Sequence, residues 1–65
     1  MNKENNLKSK FLKVFANIPD KIRSEDIIVV VDGKPYTWDN AAIEVKNDSE
    51  TGNKILEILK KMGVL

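Results

Sequence analysis

Hydrophobic positions follow two rhythms along this chain. Between residues 27 and 38 they run together and then alternate. On either side they recur every three or four residues. The central stretch is Ile27-Ile28-Val29-Val30-Val31, a β-branched run that ends at Asp32-Gly33 and is followed by Tyr36 and Trp38. β-branched and aromatic residues suit a pleated, half-buried surface. Asp-Gly supplies the positive φ angles that both central positions of a two-residue type I′ turn require. The pattern predicts a hairpin of about 27–31 and 34–38. Such a turn pairs Val31 with Lys34, Val30 with Pro35, Val29 with Tyr36, Ile28 with Thr37 and Ile27 with Trp38. One face then carries Ile27, Val29, Tyr36 and Trp38, and this face is expected to be buried. The other carries Ile28, Val30, Pro35 and Thr37 and is only half apolar.

Two features constrain this hairpin. Pro35 has no N–H, so the second strand belongs at an edge, with the missing donor pointing away from the first strand. The first strand is apolar on both faces, the pattern of a fully buried strand. A lone two-stranded hairpin leaves such a strand half uncovered and is marginal in water. A third strand, a helix of the same chain or a second copy must therefore cover Ile28 and Val30 or pair with the free edge. Cover by the chain's own helices is the plainest expectation.

The flanks read as helices. Leu7, Phe11, Val14, Phe15 and Ile18 form one stripe at helical spacing, with Leu12 and Ala16 widening it. Asn5 or Asn6 is the expected cap, residues 1–4 are expected to be loose, and Pro19 closes the helix near Asn17. Pro19 also suits the start of a one-turn helix, in which Ile22 would anchor into the core. After the hairpin, Thr37 is a good N-cap. Trp38, Ala41, Ala42 and Val45 share one helical face, so a helix over 38–46 is preferred. Its rival is a third strand, because Ala41, Ile43 and Val45 also alternate with Ala42, Glu44 and Lys46. Asn47 suits the left-handed residue that ends a helix, and Asp48 or Ser49 the cap of the next. The last helix, about 50–62, presents Ile55, Ile58, Leu59 and Met62, with Leu56 beside them. Gly52 marks either a close backbone approach or a frayed start. Gly63 is a natural left-handed terminator, and Val64 can fold back in a Schellman arrangement. The expected fold is α+β: an N-terminal helix, the hairpin, and two C-terminal helices packed on one face of it, within one domain over 1–65.

Composition narrows the chemistry. The 65 residues include no cysteine and no histidine, which removes disulfides, thiolates and imidazole bases. Ser9, Ser24 and Ser49 thus lack the usual activating partner. Asp32-Gly33-Lys34 lacks the glycine spacing of a phosphate loop. Asp39, Glu44, Asp48 and Glu50 do not have the spacing of a calcium loop and read as scattered solvated acids. No catalytic residue, metal site or cofactor is expected, and an enzyme is not the expected class. No run is long enough to span a membrane. The first residues lack the apolar segment of a secretory signal, so a cytoplasmic location is expected.

Charge changes the picture by its distribution, since the net value is only +1. Residues 1–23 carry Lys3, Lys8, Lys10, Lys13, Lys21 and Arg23 against Glu4 and Asp20. Residues 24–53 carry Lys34 and Lys46 against Glu25, Asp26, Asp32, Asp39, Glu44, Asp48 and Glu50. A basic first third thus precedes an acidic middle. The two can attract within one fold or between copies, over a short range at physiological salt.

The phrase strand–Asp32-Gly33–strand–Thr37-Trp38–helix resembles the middle of many small prokaryotic domains. The likeness covers about a quarter of the chain and implies no activity or site residues. The expected function is a non-enzymatic protein-interaction module, self-associating as a homodimer through its hairpin, with Ile28, Val30, Tyr36 and Trp38 as candidate contact residues. For Tyr36 and Trp38 a place in the core is the stronger expectation, because aromatics dominate small cores. The alternative is a nucleic-acid-binding accessory protein that uses Lys3, Lys8, Lys10 and Lys13 of the first helix together with the hairpin. A solvated lysine face is the plainer reading of those four.

Overall fold

The Asp-Gly turn forms as its chemistry dictates. Asp32 has φ 53° and Gly33 φ 80°, both in the left-handed region that a type I′ turn needs. In the computed structural model, which describes residues 3–65 with side chains from Asn6 onward, the element order is α1 (Lys3–Ala16), α2 (Asp20–Glu25), β1 (Ile27–Val31), β2 (Lys34–Thr37), α3 (Trp38–Lys46) and α4 (Glu50–Lys61). The fold is α+β. An antiparallel hairpin of order β1–β2 lies on a helical pair in which α4 meets β1 and α3 meets β2, and α1 packs against α3 and α4. Of the loose start expected for residues 1–4, residues 1 and 2 lie outside the described residues, whereas Lys3 and Glu4 form the beginning of α1. The expected caps Asn5 and Asn6 fall inside α1 rather than before it.

The hairpin keeps its expected register near the turn and loses it one residue later. Val31 pairs with Lys34, Val30 with Pro35 and Val29 with Tyr36. Ile27 then pairs with Thr37 instead of Trp38, through an irregularity between Ile27 and Val29. One extra residue, Ile28, is accommodated there, as in a β-bulge. The reason lies across the ladder. Thr37, the last residue of β2, also caps α3, its Oγ1 accepting from the Asn40 N–H at 3.2 Å, so Trp38 is helical and not available as a strand partner. The consequence is a change of side. Ile27, expected in the buried face, is 59% exposed, while Ile28 is half-buried against the core.

The helical reading of 38–46 is the one observed, and Trp38, Ala41, Ala42 and Val45 form its buried face. The turn into α4 corrects a detail. Asp48, not Asn47, takes the left-handed conformation, with φ 54°. The Ser49 N–H reaches the Glu44 carbonyl at 3.2 Å and the Asp48 N–H reaches the Val45 carbonyl at 3.1 Å, the bond pair of a Schellman ending. The Ser49 hydroxyl accepts from the Gly52 N–H at 2.9 Å, which caps α4, and donates to the Glu44 carboxylate at 2.6 Å. The end of α4 repeats the arrangement: the Val64 N–H meets the Leu59 carbonyl at 3.0 Å, around Gly63 at φ 84°.

Gly52 is a site of close approach. A Cβ there would meet the Glu44 carbonyl carbon at 2.7 Å, far inside contact distance, so α4 can lie this near to α3 only with glycine. This turns the buried stripe of α4 to Gly52, Ile55, Leu56 and Leu59. Met62, expected on that stripe, is 58% exposed, and Ile58 is half-buried. The largest fully buried side chains are Phe11, Ile55, Leu59 and Val45, and no polar or charged residue is buried among the described residues. Phe11 joins α1 to α3, with its ring centroid 5.5 Å from Trp38.

Helix α2 differs from the rest in burying nothing. Ile22, expected as an anchor, is 41% exposed. Arg23 holds this turn instead. Its guanidinium sits 4.7 Å from the Phe15 ring centroid and forms an ion pair with Asp20. Lys46 approaches the same ring at 5.6 Å. Cations over an aromatic face at such distances are attracted by the ring quadrupole.

Candidate interaction surface

The outward side of the hairpin is the surface the fold leaves open. Alternation along β1 sends Val29 and Val31 into the core at 6% and 5% exposure and leaves Val30 at 56%. Across the ladder, Tyr36 is buried while Pro35 and Lys34 are exposed. Pro35 faces Val30 and also lines a groove with Ile43 of α3, which is itself 56% exposed. An apolar strip therefore runs from Val30 over Pro35 to Ile43, with Ile27 at the start of β1. Scattered exposed apolar residues are ordinary, whereas grouped ones mark contact surfaces.

The two edges of the hairpin are unlike. On β2 the pair Val30–Pro35 follows the closing pair of a two-residue hairpin, so it is a non-hydrogen-bonded pair. The backbone groups of Pro35 point away from β1, and proline has no N–H to offer there. Helix α3 runs beside that edge, and Lys34, Pro35, Tyr36, Asn40, Ile43 and Glu44 line the groove between them. On β1 every residue from Ile27 to Val31 is apolar and has a backbone N–H. The sheet has two strands, so this edge has no strand partner.

The four candidate contact residues separate. Val30 is exposed and Ile28 half-buried, so these two lie at the outer surface and the bulge. Tyr36 and Trp38 are core residues, at 9% and 7% exposure. Lys34 Nζ lies over the Tyr36 ring, 5.9 Å from its centroid, so the face of this aromatic carries a cation. Ile27 and Ile43 were not among the candidates. Their exposure follows from the bulge and from the packing of α3, neither of which shows in the spacing of apolar residues, although Ile43 does fall off the apolar face of its helix.

The lysines of α1 also separate. Lys8 is held by Asp48, Nζ to Oδ1 3.1 Å, which fastens α1 to the α3–α4 turn. Lys13 is exposed, and the side chain of Lys3 lies outside those described. Lys10 lines a cleft with Asn6, Leu7 and Lys60, so α4 adds a cation beside it. Among the described residues, no three acidic side chains gather where they could hold a metal ion, and no helix is long and apolar enough to cross a membrane. No protein family, curated protein or solved structure matches the chain.

Proposed function

We propose that the protein is a non-enzymatic interaction module that self-associates through the outer side of its hairpin. The supporting observation is the half-covered strand: β1 is apolar throughout, yet Val29 and Val31 are buried while Val30 and Ile27 remain more than half exposed. A 65-residue chain has a small core, and covering this side with a second copy adds apolar burial that the monomer lacks. Burying apolar area contributes about 25 cal/mol per Å² before the cost of association is deducted. The absence of histidine and cysteine from the chain accords with a binding rather than a catalytic role.

Sedimentation equilibrium over a micromolar concentration series, at low and high salt, tests this. The expected result is a mass above that of one chain that persists in high salt and falls to one chain in Val30→Lys. A single-chain mass throughout rejects it.

A second reading is nucleic-acid binding by the α1–α4 side. It is favoured by one observation, the meeting of Lys10 and Lys60 in a common cleft. Phosphate contacts make such binding strongly salt-dependent. If mixed-sequence oligonucleotides show no salt-sensitive binding, this second reading fails.

A further inference from the structure

We propose that the free edge of β1 pairs antiparallel with β1 of a second copy, joining two hairpins into one four-stranded sheet of order β2–β1–β1–β2. This rests on the self-association proposed above and adds to it a contact along the β1 edge, which sets the two Val30 side chains side by side on the outer face.

The edge has the required chemistry. Val29 and Val31 face Tyr36 and Lys34 across the hairpin. Ladder bonds alternate in an antiparallel pair, so Val30 between them turns its N–H and C=O away from β2. Neither group has a hydrogen-bond partner among the described residues. Proteins ordinarily blunt such an edge with lysine, proline, an inward charge or a bulge. Ile27–Val31 contains no lysine, proline or charge, and its one irregularity lies at Ile28, which leaves Val29–Val31 as the regular part of the edge. The β2 edge is blunted by Pro35 and flanked by α3.

This asymmetry selects the occupant. Pairing β1 with β1 uses the unprotected edge of both copies at once. Only the two Pro35-bearing edges then remain outside. A self-complementary contact of this kind has twofold symmetry and closes at two chains.

Charge supports the same arrangement. At the start of β1, Glu25 and Asp26 are exposed and take part in no ion pair among the described residues. At the turn end, Lys54 lies 3.3 Å from Asp32 and Lys34 follows on β2, so cations outnumber acids there. Antiparallel pairing sets the acidic start of each strand beside the basic turn end of the other, twice by symmetry. Centring the pair on Val30 joins the outward N–H and C=O of its two copies to each other.

The test combines sedimentation equilibrium with amide hydrogen exchange on the full chain and on Val30→Pro. This substitution removes the outward N–H but no bond of the hairpin's own ladder. The expected result is a wild-type dimer, slower exchange of the Val30 amide as concentration rises, and loss of the dimer in Val30→Pro with its circular dichroism retained. A wild-type dimer whose Val30 amide exchanges at a rate independent of concentration overturns the edge pairing and leaves self-association through the hairpin face standing. A wild-type monomer at every concentration overturns both. Growth beyond two chains overturns the closure. Should Val30→Pro fail to fold, the concentration dependence of wild-type Val30 exchange decides between these outcomes unaided.

Discussion

The inner and outer sides of the hairpin are built from the same residue types and meet opposite environments. Val29, Val31 and Tyr36 lie on the helical pair, while Ile27, Val30 and Pro35 look outward. Hydrophobicity does not separate the two groups. Position in the pleat does, together with the single extra residue that turns Ile27 out of the face its spacing assigns to it. A side chain's worth to this fold therefore depends on which side of β1 it occupies, and substitutions can measure that.

The largest effect is expected directly beneath the inner side. Ile55 is fully buried, and Ile55→Ala should cost about 2–5 kcal/mol in urea unfolding. That is much of the stability of an ordinary small domain. If Ile55→Ala unfolds with a near-wild-type midpoint, the core is not where the burial pattern places it.

A matched pair probes the comparison itself. Val29→Thr buries a hydroxyl that lacks an evident partner and should cost about 1–3 kcal/mol. Val30→Thr, one residue along, should stay within about 0.5 kcal/mol when both are unfolded at a concentration where the chain is monomeric. Equal losses at the two positions would erase the distinction between the sides.

The helical pair that supports the inner side can be loosened at its turn. Ser49→Ala removes the α4 cap and the bond to Glu44 and should cost about 1 kcal/mol, read as a lower urea midpoint with unchanged slope. The smallest effect has the opposite sign. Asp48 holds a left-handed conformation that costs a non-glycine residue about 1–2 kcal/mol, against an exposed ion pair with Lys8 worth about 0–1 kcal/mol. Asp adopts this conformation more readily than most non-glycine residues, so its cost lies at the low end, about 1 kcal/mol. Less about 0.5 kcal/mol for the ion pair, Asp48→Gly should raise stability by about 0.5 kcal/mol, read as a slightly higher midpoint. A clear loss would mean that the Lys8 contact fastens α1 more firmly than exposure suggests.

Features governed by neighbours in sequence were legible before the fold was known. The Asp32-Gly33 turn, the Thr37 cap, the Gly63 ending and the buried face of α3 each depend on residues within one turn or one ladder rung. The candidate surface was legible only in part. Val30 is exposed, although cover by the chain's own helices was the plainest expectation for it, and Tyr36 and Trp38 belong to the core, where aromatics were expected. Ile22 and Met62 were misplaced because an apolar residue at a plausible spacing is buried only if another element arrives to cover it.

By itself, the sequence determined the element types and their order, the type I′ turn, and the proline that spoils one edge of the hairpin. Those follow from backbone sterics and from hydrogen-bonding groups that proline and glycine add or remove locally. The tertiary structure alone decided that Gly52 would seat α4 against the Glu44 carbonyl, that the ladder would slip at Ile28, and that Ile27, Val30 and Ile43 would be left uncovered. Each of these depends on the distance between segments far apart in the chain, and hydrophobic attraction, which has no direction of its own, does not specify that distance.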